Sequence, residues 1–309
     1  MKVLVSGSSG LVGTALTSSL HAAGHEVVRL IRQPTPGAGD GSAEPEVRWD
    51  PTTGVVDLEQ LAAAGPIHAA VNLAGAGIAD RRWTVARRRL IMTSRREPTR
   101  LLANILSRLS PRPGVLVSAS AVGFYGDRGA QVLTEGQPAG EGFLAEVCRT
   151  WEAATAPAAD GGIRVVHLRS GIVLSPSGGI LGRLLPLYRL GLGGRLGSGR
   201  QYVSWISLRD QVAVIRAALE DPRLAGPVNA VAPTPVTNAQ LTRALGRALH
   251  RPAPWVVPAV ALRVALGAHL ADELLLASQR AQPARLLQIG HRFVDPDIDA
   301  ALTWVAGAR

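Results

Sequence analysis

Residues 7–13 read Gly7-Ser8-Ser9-Gly10-Leu11-Val12-Gly13. The stretch joins two segments of different periodicity. Ahead of it, Lys2-Val3-Leu4-Val5-Ser6 is a short, almost unbroken apolar run, the pattern of a strand buried on both faces. Behind it, Leu11, Ala15, Leu16 and Leu20 recur at helical spacing, and Gly24 follows as a stop. A turn this tight needs a first residue without a Cβ, which Gly7 supplies. Gly10 leaves the backbone open to a pyrophosphate, and Gly13 lets the helix lie close on the strand. The free N–H groups of the helix start, with its dipole behind them, suit phosphate charge. A second strand at Val27 to Ile31 completes the context such a turn requires, so the stretch predicts dinucleotide binding. The competing reading is a structural turn in a non-binding sheet.

The end of the second strand bears on which dinucleotide. A carboxylate about 20 positions beyond the turn would bind the ribose hydroxyls of NAD. Here the strand ends Leu30-Ile31-Arg32-Gln33. The Arg32 guanidinium is a fork suited to a 2′-phosphate, and no carboxylate stands there to repel it. NADP(H) is the expected cofactor; a solvent-facing arginine in an arginine-rich chain is the alternative.

Working outward, Val47 to Trp49, Ala69 to Leu73, Val115 to Ser118 and Val165 to Arg169 read as further strands. Helical patterns fall between them, one from Thr84 to Leu109 that Pro98 should kink or divide, another around Phe143 to Ala156. Strands alternating with helices predict an α/β fold, a Rossmann-type doubly wound parallel sheet. Gly171 to Ser204 is glycine-rich and reads as loops beside a cleft. Thr237 caps a helix running to Leu249, and Pro252, Pro254 and Pro258 separate it from a last helical segment. The expected division is an NADP-binding domain over 1–173, rejoined by strand segments from 200–232, and a smaller substrate-side lobe over 174–309. Pro34 to Pro45 reads as a mobile loop.

Composition narrows the function classes. With 47% hydrophobic and 18% charged residues the chain is globular. Its most apolar late stretch, Trp255 to Leu276, is interrupted by Pro258, Arg263, Asp272 and Glu273, so no membrane span is expected. The N-terminus lacks a signal-peptide pattern and Cys148 is the single cysteine, which makes the cytoplasm the expected compartment. The net charge of +10 invites a nucleic-acid partner. Against this, Lys2 is the only lysine, the arginines are dispersed apart from short runs such as Arg87-Arg88-Arg89, and aromatics make up 4%. A small substrate, neutral or anionic, is expected, with no nucleic-acid or membrane partner, for a monomer or homodimer. The histidines show no metal spacing; Gly24 ends the helix between His21 and His25.

The turn, Asn72-Leu73-Ala74-Gly75 and Ser118-Ala119-Ser120-Ala121 together resemble the extended short-chain dehydrogenase/reductases. Gly123-Phe124-Tyr125-Gly126-Asp127, Arg169-Ser170-Gly171-Ile172-Val173-Leu174 and Trp205-Ile206-Ser207-Leu208-Arg209-Asp210 narrow the likeness to the atypical epimerase family proteins. Leu274 to Arg280 and the Pro283 region resemble the C-terminal domain of unknown function that these proteins carry. The resemblance covers essentially the whole chain. It implies that Gly7, Ser9, Gly10, Leu11 and Val12 contact the cofactor phosphates and that Arg32 takes the 2′-phosphate. It places Asp50 near the adenine, Leu73, Ala74, Gly75 and Arg95 along the ribose path, and Ser118 to Ser120 near the nicotinamide.

The superfamily's proton chemistry uses a Tyr and a Lys four residues apart, the Lys charge lowering the Tyr pKa. This chain has no lysine after Lys2, and its tyrosines are Tyr125, Tyr188 and Tyr202. With Glu152 as anchor, Leu144 stands for the Tyr and Cys148 for the Lys. Ser120, as a donor to a substrate carbonyl, and Tyr125, as an acid, are the remaining catalytic candidates. Glu135, Glu141 and Glu146 are carboxylates without a predicted partner. A loop from Gly178 to Gly199 would close over substrate, with Arg195 or Arg200 pairing an anionic group. An NADP(H)-dependent oxidoreductase or isomerase and a catalytically silent NADP(H)-binding regulator both fit. The missing pair predicts negligible epimerase turnover on a UDP-sugar; robust product formation in a coupled assay would refute this.

Overall fold

The structure, a computed structural model, describes residues 1–33 and 44–307. Residues 34–43 of the expected loop Pro34 to Pro45 lie outside the described residues. The main sheet consists of β1 Lys2–Ser6, β2 Glu26–Ile31, β3 Glu46–Asp50, β4 Val55–Val56, β5 Ala69–Asn72, β6 Val115–Ala121, β7 Arg164–Ser170 and β8 Gly226–Ala230. Its order is β8-β7-β6-β5-β1-β2-β3-β4, parallel throughout except for the β3–β4 pair. The chain moves outward from β1 to β2 and β3, then returns to β5 on the other side of β1. That reversal opens a crevice at the carboxyl ends of β1 and β5, where such sheets bind ligands. The helices that build and flank the crevice are α1 Leu11–Ala22, α2 Val85–Arg108, α3 Phe143–Ala153, α4 Gly179–Arg189, α5 Leu208–Glu220, α6 Asn238–Ala248, α7 Ala259–Leu266 and α8 Ile298–Gly307.

Alternation within β1 explains its apolar run. Val3 and Val5 join Leu16 and Leu20 of α1 and Ile215 and Leu219 of α5 on one face. Leu4 joins Leu102 and Leu106 of α2 on the other. Both faces are dry, so both sets of side chains must be apolar. The expected strands are all present, and β4 and β8 extend the sheet at its two edges. Residues 208–230 thus return to the sheet as α5 and β8.

Two expectations are corrected. The long helix is not divided: it runs over Val85–Arg108 with Pro98 buried inside it. Proline removes a single backbone hydrogen bond here, and Ile91, Leu102 and Leu106, all fully buried, hold the helix on either side of the gap. Gly171 to Ser204 is not a run of loops. Ile172–Leu174 pairs with Trp205–Ser207, and Gly194–Leu196 pairs with Trp255–Val257. Between them lies α4, whose Leu181, Leu185 and Tyr188 form an apolar stripe at helical spacing. The stripe packs with Leu241 and Leu245 of α6 and Leu302 of α8 in the core of the small lobe. The Thr237 cap is present as a capping box with Gln240.

The small lobe is fastened from beneath. Asp210, fully buried in α5, accepts hydrogen bonds from the backbone N–H groups of Val294 (2.7 Å) and Asp295 (2.9 Å). Arg209 pairs with the Asp295 carboxylate at 2.6 Å.

Gly13 is a further constraint on the fold. A Cβ there would lie 2.1 Å from the Gly7 carbonyl oxygen and 2.7 Å from the Ser8 Cα. Gly13→Ala should therefore destabilise the protein by about 1–3 kcal/mol, against the helix propensity it gains. Urea denaturation measures the change, and an unaltered midpoint would refute the close-packing role.

Candidate functional site

The glycine turn forms one wall of the crevice. Gly7 adopts φ +72°, and a Cβ on it would lie 2.7 Å from the Leu73 carbonyl carbon. The turn therefore lies directly against the Leu73-Ala74-Gly75 segment that leaves β5. Helix α1 begins after Gly10 with no side-chain cap and no acidic residue in its first turn. Its leading N–H groups and the positive end of its dipole are left to a ligand. Ser9 and Gly10 are exposed, and Leu11 and Val12 half-buried. Arg32 is exposed just past the end of β2. Asp50 ends β3, where it accepts hydrogen bonds from the Thr52 N–H (2.8 Å) and the Thr53 hydroxyl (2.9 Å). These two bonds, the Thr52 one foremost, hold its carboxyl below the usual range. Its carboxylate shapes the β3–β4 turn.

Asn72, at the end of β5, ties the crevice floor together. Its Oδ1 accepts from the Ser6 hydroxyl at 2.6 Å, and its Nδ2 donates to Thr99 Oγ1 at 2.7 Å and Ser118 Oγ at 3.3 Å. One amide thus links β1, β5, β6 and α2. Ser118 is fully buried and reaches the crevice only through Asn72. Arg95 holds the loop beyond Gly75: its guanidinium donates to the carbonyls of Ala76 (2.9 Å) and Ile91 (3.1 Å) and lies 5.1 Å from the Trp151 ring centroid. Burial lowers its pKa to about 10, leaving it charged at neutral pH.

The catalytic candidates meet around a buried ion pair. Arg169 Nε and Nη2 each donate to Glu152 at 2.9 Å, one to either oxygen. The Ser120 hydroxyl donates to Glu152 Oε1 at 2.7 Å. Arg169 Nη1 donates to the Tyr125 hydroxyl at 3.1 Å, and its guanidinium lies 3.4 Å from the Phe124 ring centroid. Tyr125 donates in turn to Asn229 Oδ1 at 2.7 Å, and its side chain is fully buried. Burial raises the Tyr125 pKa, so its proton is held in this network rather than presented to the crevice. Ser120 and Tyr125 are thus brought together through Glu152 and Arg169; the sequence offered Glu152 as an alignment anchor and Arg169 as part of a motif, and gave neither this role. The signals for Arg169 were a charge closing an apolar strand and its place at the head of the 169–174 stretch.

The positions expected for the Tyr and Lys are apolar. Leu144 and Cys148 stand against Gly123, where a Cβ would meet them at 3.3 Å and 3.8 Å. Burial first, and Glu152 second, push the Cys148 thiol up to about 11. The small lobe reaches this point too: Glu273 accepts from the Leu144 N–H at 2.9 Å, covering the α3 N-terminus. Glu135 is bound to the backbone N–H groups of Asn229 and Arg285. Arg195 donates to the carbonyls of Gly197 and Ser198 in its own loop, while Arg200 is exposed. Among the described residues no group of three or more His, Cys, Asp or Glu is placed to hold a metal. No helix among them is long and apolar enough to cross a membrane.

Two outcomes follow from this geometry. Arg169→Met leaves Glu152 buried without its counter-charge and should cost about 3–5 kcal/mol, read from chemical denaturation. Cys148, held as a buried thiol, should react with a thiol reagent at neutral pH only on unfolding. Rapid labelling of the native protein would refute this.

Comparison with known proteins agrees with the geometry. The model of the NAD dependent epimerase/dehydratase family matches residues 3–231, and that of a domain of unknown function, DUF1731, matches 257–305. Epimerase family protein Mb2239 of Mycobacterium bovis is 46% identical over 97% of this chain and 96% of its own. Human epimerase family protein SDR39U1 is 37% identical over 98% of both chains. A crystal structure of the human protein (isoform 2) with NADPH superposes with a TM-score of 0.89 at 35% identity, covering both chains completely. A Thermus thermophilus UDP-glucose 4-epimerase in complex with NAD shares the fold at a TM-score of 0.74 and 19% identity, over all of both chains. The chain belongs to the NAD dependent epimerase/dehydratase family.

Proposed function

We propose that the protein binds NADP(H) across the β1–β5 crevice and acts as an oxidoreductase or isomerase without the Tyr–Lys pair. The observation that carries the cofactor is the uncapped, carboxylate-free start of α1 together with Arg32 at the end of β2. The human relative crystallised with NADPH supports the same choice. In this reading Gly7, Ser9, Gly10, Leu11 and Val12 cradle the phosphates and Arg32 takes the 2′-phosphate. Leu73, Ala74 and Gly75 line the ribose path, Arg95 holds their loop in place, and Asp50 borders the adenine end. Bound NADP(H) would supply hydride chemistry; the protein orients the reactants and excludes water.

Ser120 sets the polarity of the substrate. Glu152 accepts two hydrogen bonds from the Arg169 guanidinium and a third from the Ser120 hydroxyl. The Ser120 proton is therefore committed to Glu152, and its oxygen offers lone pairs to the crevice. A group that meets Ser120 must donate, as an alcohol does and a ketone does not. This reverses the donor role expected from sequence and points to a hydroxyl-bearing substrate or product.

A second reading, a catalytically silent NADP(H)-binding regulator, is favoured by the apolar Leu144 and Cys148 positions and the committed Tyr125 hydroxyl. Titration calorimetry should give NADPH an affinity about ten- to a hundredfold above NADH, the worth of charge-assisted bonds to one phosphate. Arg32→Ala should abolish the difference. Equal affinities in the unmodified protein would overturn the cofactor reading. NADP(H) binding without turnover across a panel of alcohols and ketones would favour the silent one.

A further inference from the structure

Residues 161–209 and 222–271 contain no aspartate or glutamate. A preference for arginine over lysine exchanges one cation for another and does not remove carboxylates. These two stretches supply most of the small lobe, and they also carry most of its exposed large apolar side chains. Leu187, Leu190 and Leu192 are 47%, 73% and 55% exposed, Trp255 57%, Val260 66% and Val264 71%. They form neighbouring pieces of surface. Gly194–Leu196 pairs with Trp255–Val257, the Trp255 Nε1 donates to the Gly191 carbonyl at 2.9 Å, and Leu192 N–H donates to the Leu187 carbonyl at 2.9 Å. With its N–H satisfied inside the protein, Trp255 presents only its carbon faces outward. Helix α7 continues from this strand and buries Leu262 alone. Arg189 and Arg251 flank the patch, joined by a bond from the Arg251 guanidinium to the Arg189 carbonyl at 3.1 Å, and both are exposed. Among the described residues neither has a carboxylate within ion-pair reach.

We propose that this face docks peripherally on an anionic lipid membrane. The charge pattern selects the occupant. A second copy of the chain would bring the same unbalanced arginines to the interface and be repelled. A nucleic acid would find one stacking face, Trp255, and would leave the exposed leucines and valines uncovered. An anionic bilayer matches both features: the apolar side chains enter the boundary between headgroups and acyl chains, and the arginines remain at the level of the lipid phosphates. The expectation of no membrane partner rested on the lack of a spanning segment, and a surface-bound protein needs none. The inference is independent of the cofactor and the reaction.

Co-sedimentation with vesicles tests it. The full chain should pellet with phosphatidylcholine–phosphatidylserine vesicles, stay in solution with phosphatidylcholine alone, and be released by salt. The pairs Leu190→Ser with Trp255→Ser, and Arg189→Glu with Arg251→Glu, should each lower partitioning about tenfold or more. Thermal melts of these variants should match that of the parent. In the parent protein, vesicles with brominated acyl chains should quench tryptophan fluorescence, a readout that survives if a variant fails to fold. Failure to pellet with the anionic vesicles, absence of quenching, or full binding by folded variants would overturn the proposal. So would a parent dimer in light scattering that Leu190→Ser with Trp255→Ser dissociates, since the patch would then be a subunit interface.

Discussion

The ion pair between Arg169 and Glu152 sets the terms for everything at the inner end of the crevice. Both groups are almost entirely withdrawn from water, a costly position for either alone. The cost is offset because each finds several partners at once: Glu152 the guanidinium and the Ser120 hydroxyl, Arg169 the carboxylate, Tyr125 and the Phe124 ring. The pair joins β6, β7, α3 and the turn after β6. Moving any of these would strand a charge, so the backbone around Ser120 and Tyr125 is held more firmly than apolar packing alone would hold it.

This arrangement also explains how the family's scaffold persists without its usual proton-transfer pair. Ser120, Tyr125, Glu152 and Arg169 all keep hydrogen-bond partners. Leu144 and Cys148 fill the space with apolar volume. Positive charge remains nearby, but it comes from Arg95 on α2, where backbone carbonyls of Ala76 and Ile91 hold it. Beneath Ser120, the Glu152, Arg169, Tyr125 and Asn229 side chains bond to one another.

What was legible in the sequence was what a residue declares about its own backbone. Gly7 and Gly13 report a positive φ and a contact too close for a Cβ, and both facts are local. Unbroken apolar runs made the strands readable for the same reason. Asn72 was visible as part of a motif, but its role was not, because its partners Ser6, Thr99 and Ser118 come from distant segments. The pairing of Glu152 with Arg169 stayed hidden likewise. The Gly171 to Ser204 stretch was misread because its glycines drew attention from the spacing of Leu181, Leu185 and Tyr188. Those three needed the facing α6 and α8 before their periodicity had a meaning. Pro98 was read by its local cost alone, which tertiary burial outweighs.

The clasp formed by Asp210 gives the chain a direction in time. The glycine turn, β1, β2 and β5 lie within the first quarter of the sequence, and the three strands can pair with one another as they emerge from a ribosome. Asp210 must wait for the N–H groups of Val294 and Asp295, and the core of the small lobe waits for Leu302 and Val305 of α8. During synthesis, then, a dinucleotide-sized crevice can take shape while the lobe beside it is still open. A ligand bound early would stabilise the half already made, and the final residues would close the lobe around a sheet that is no longer searching for its form.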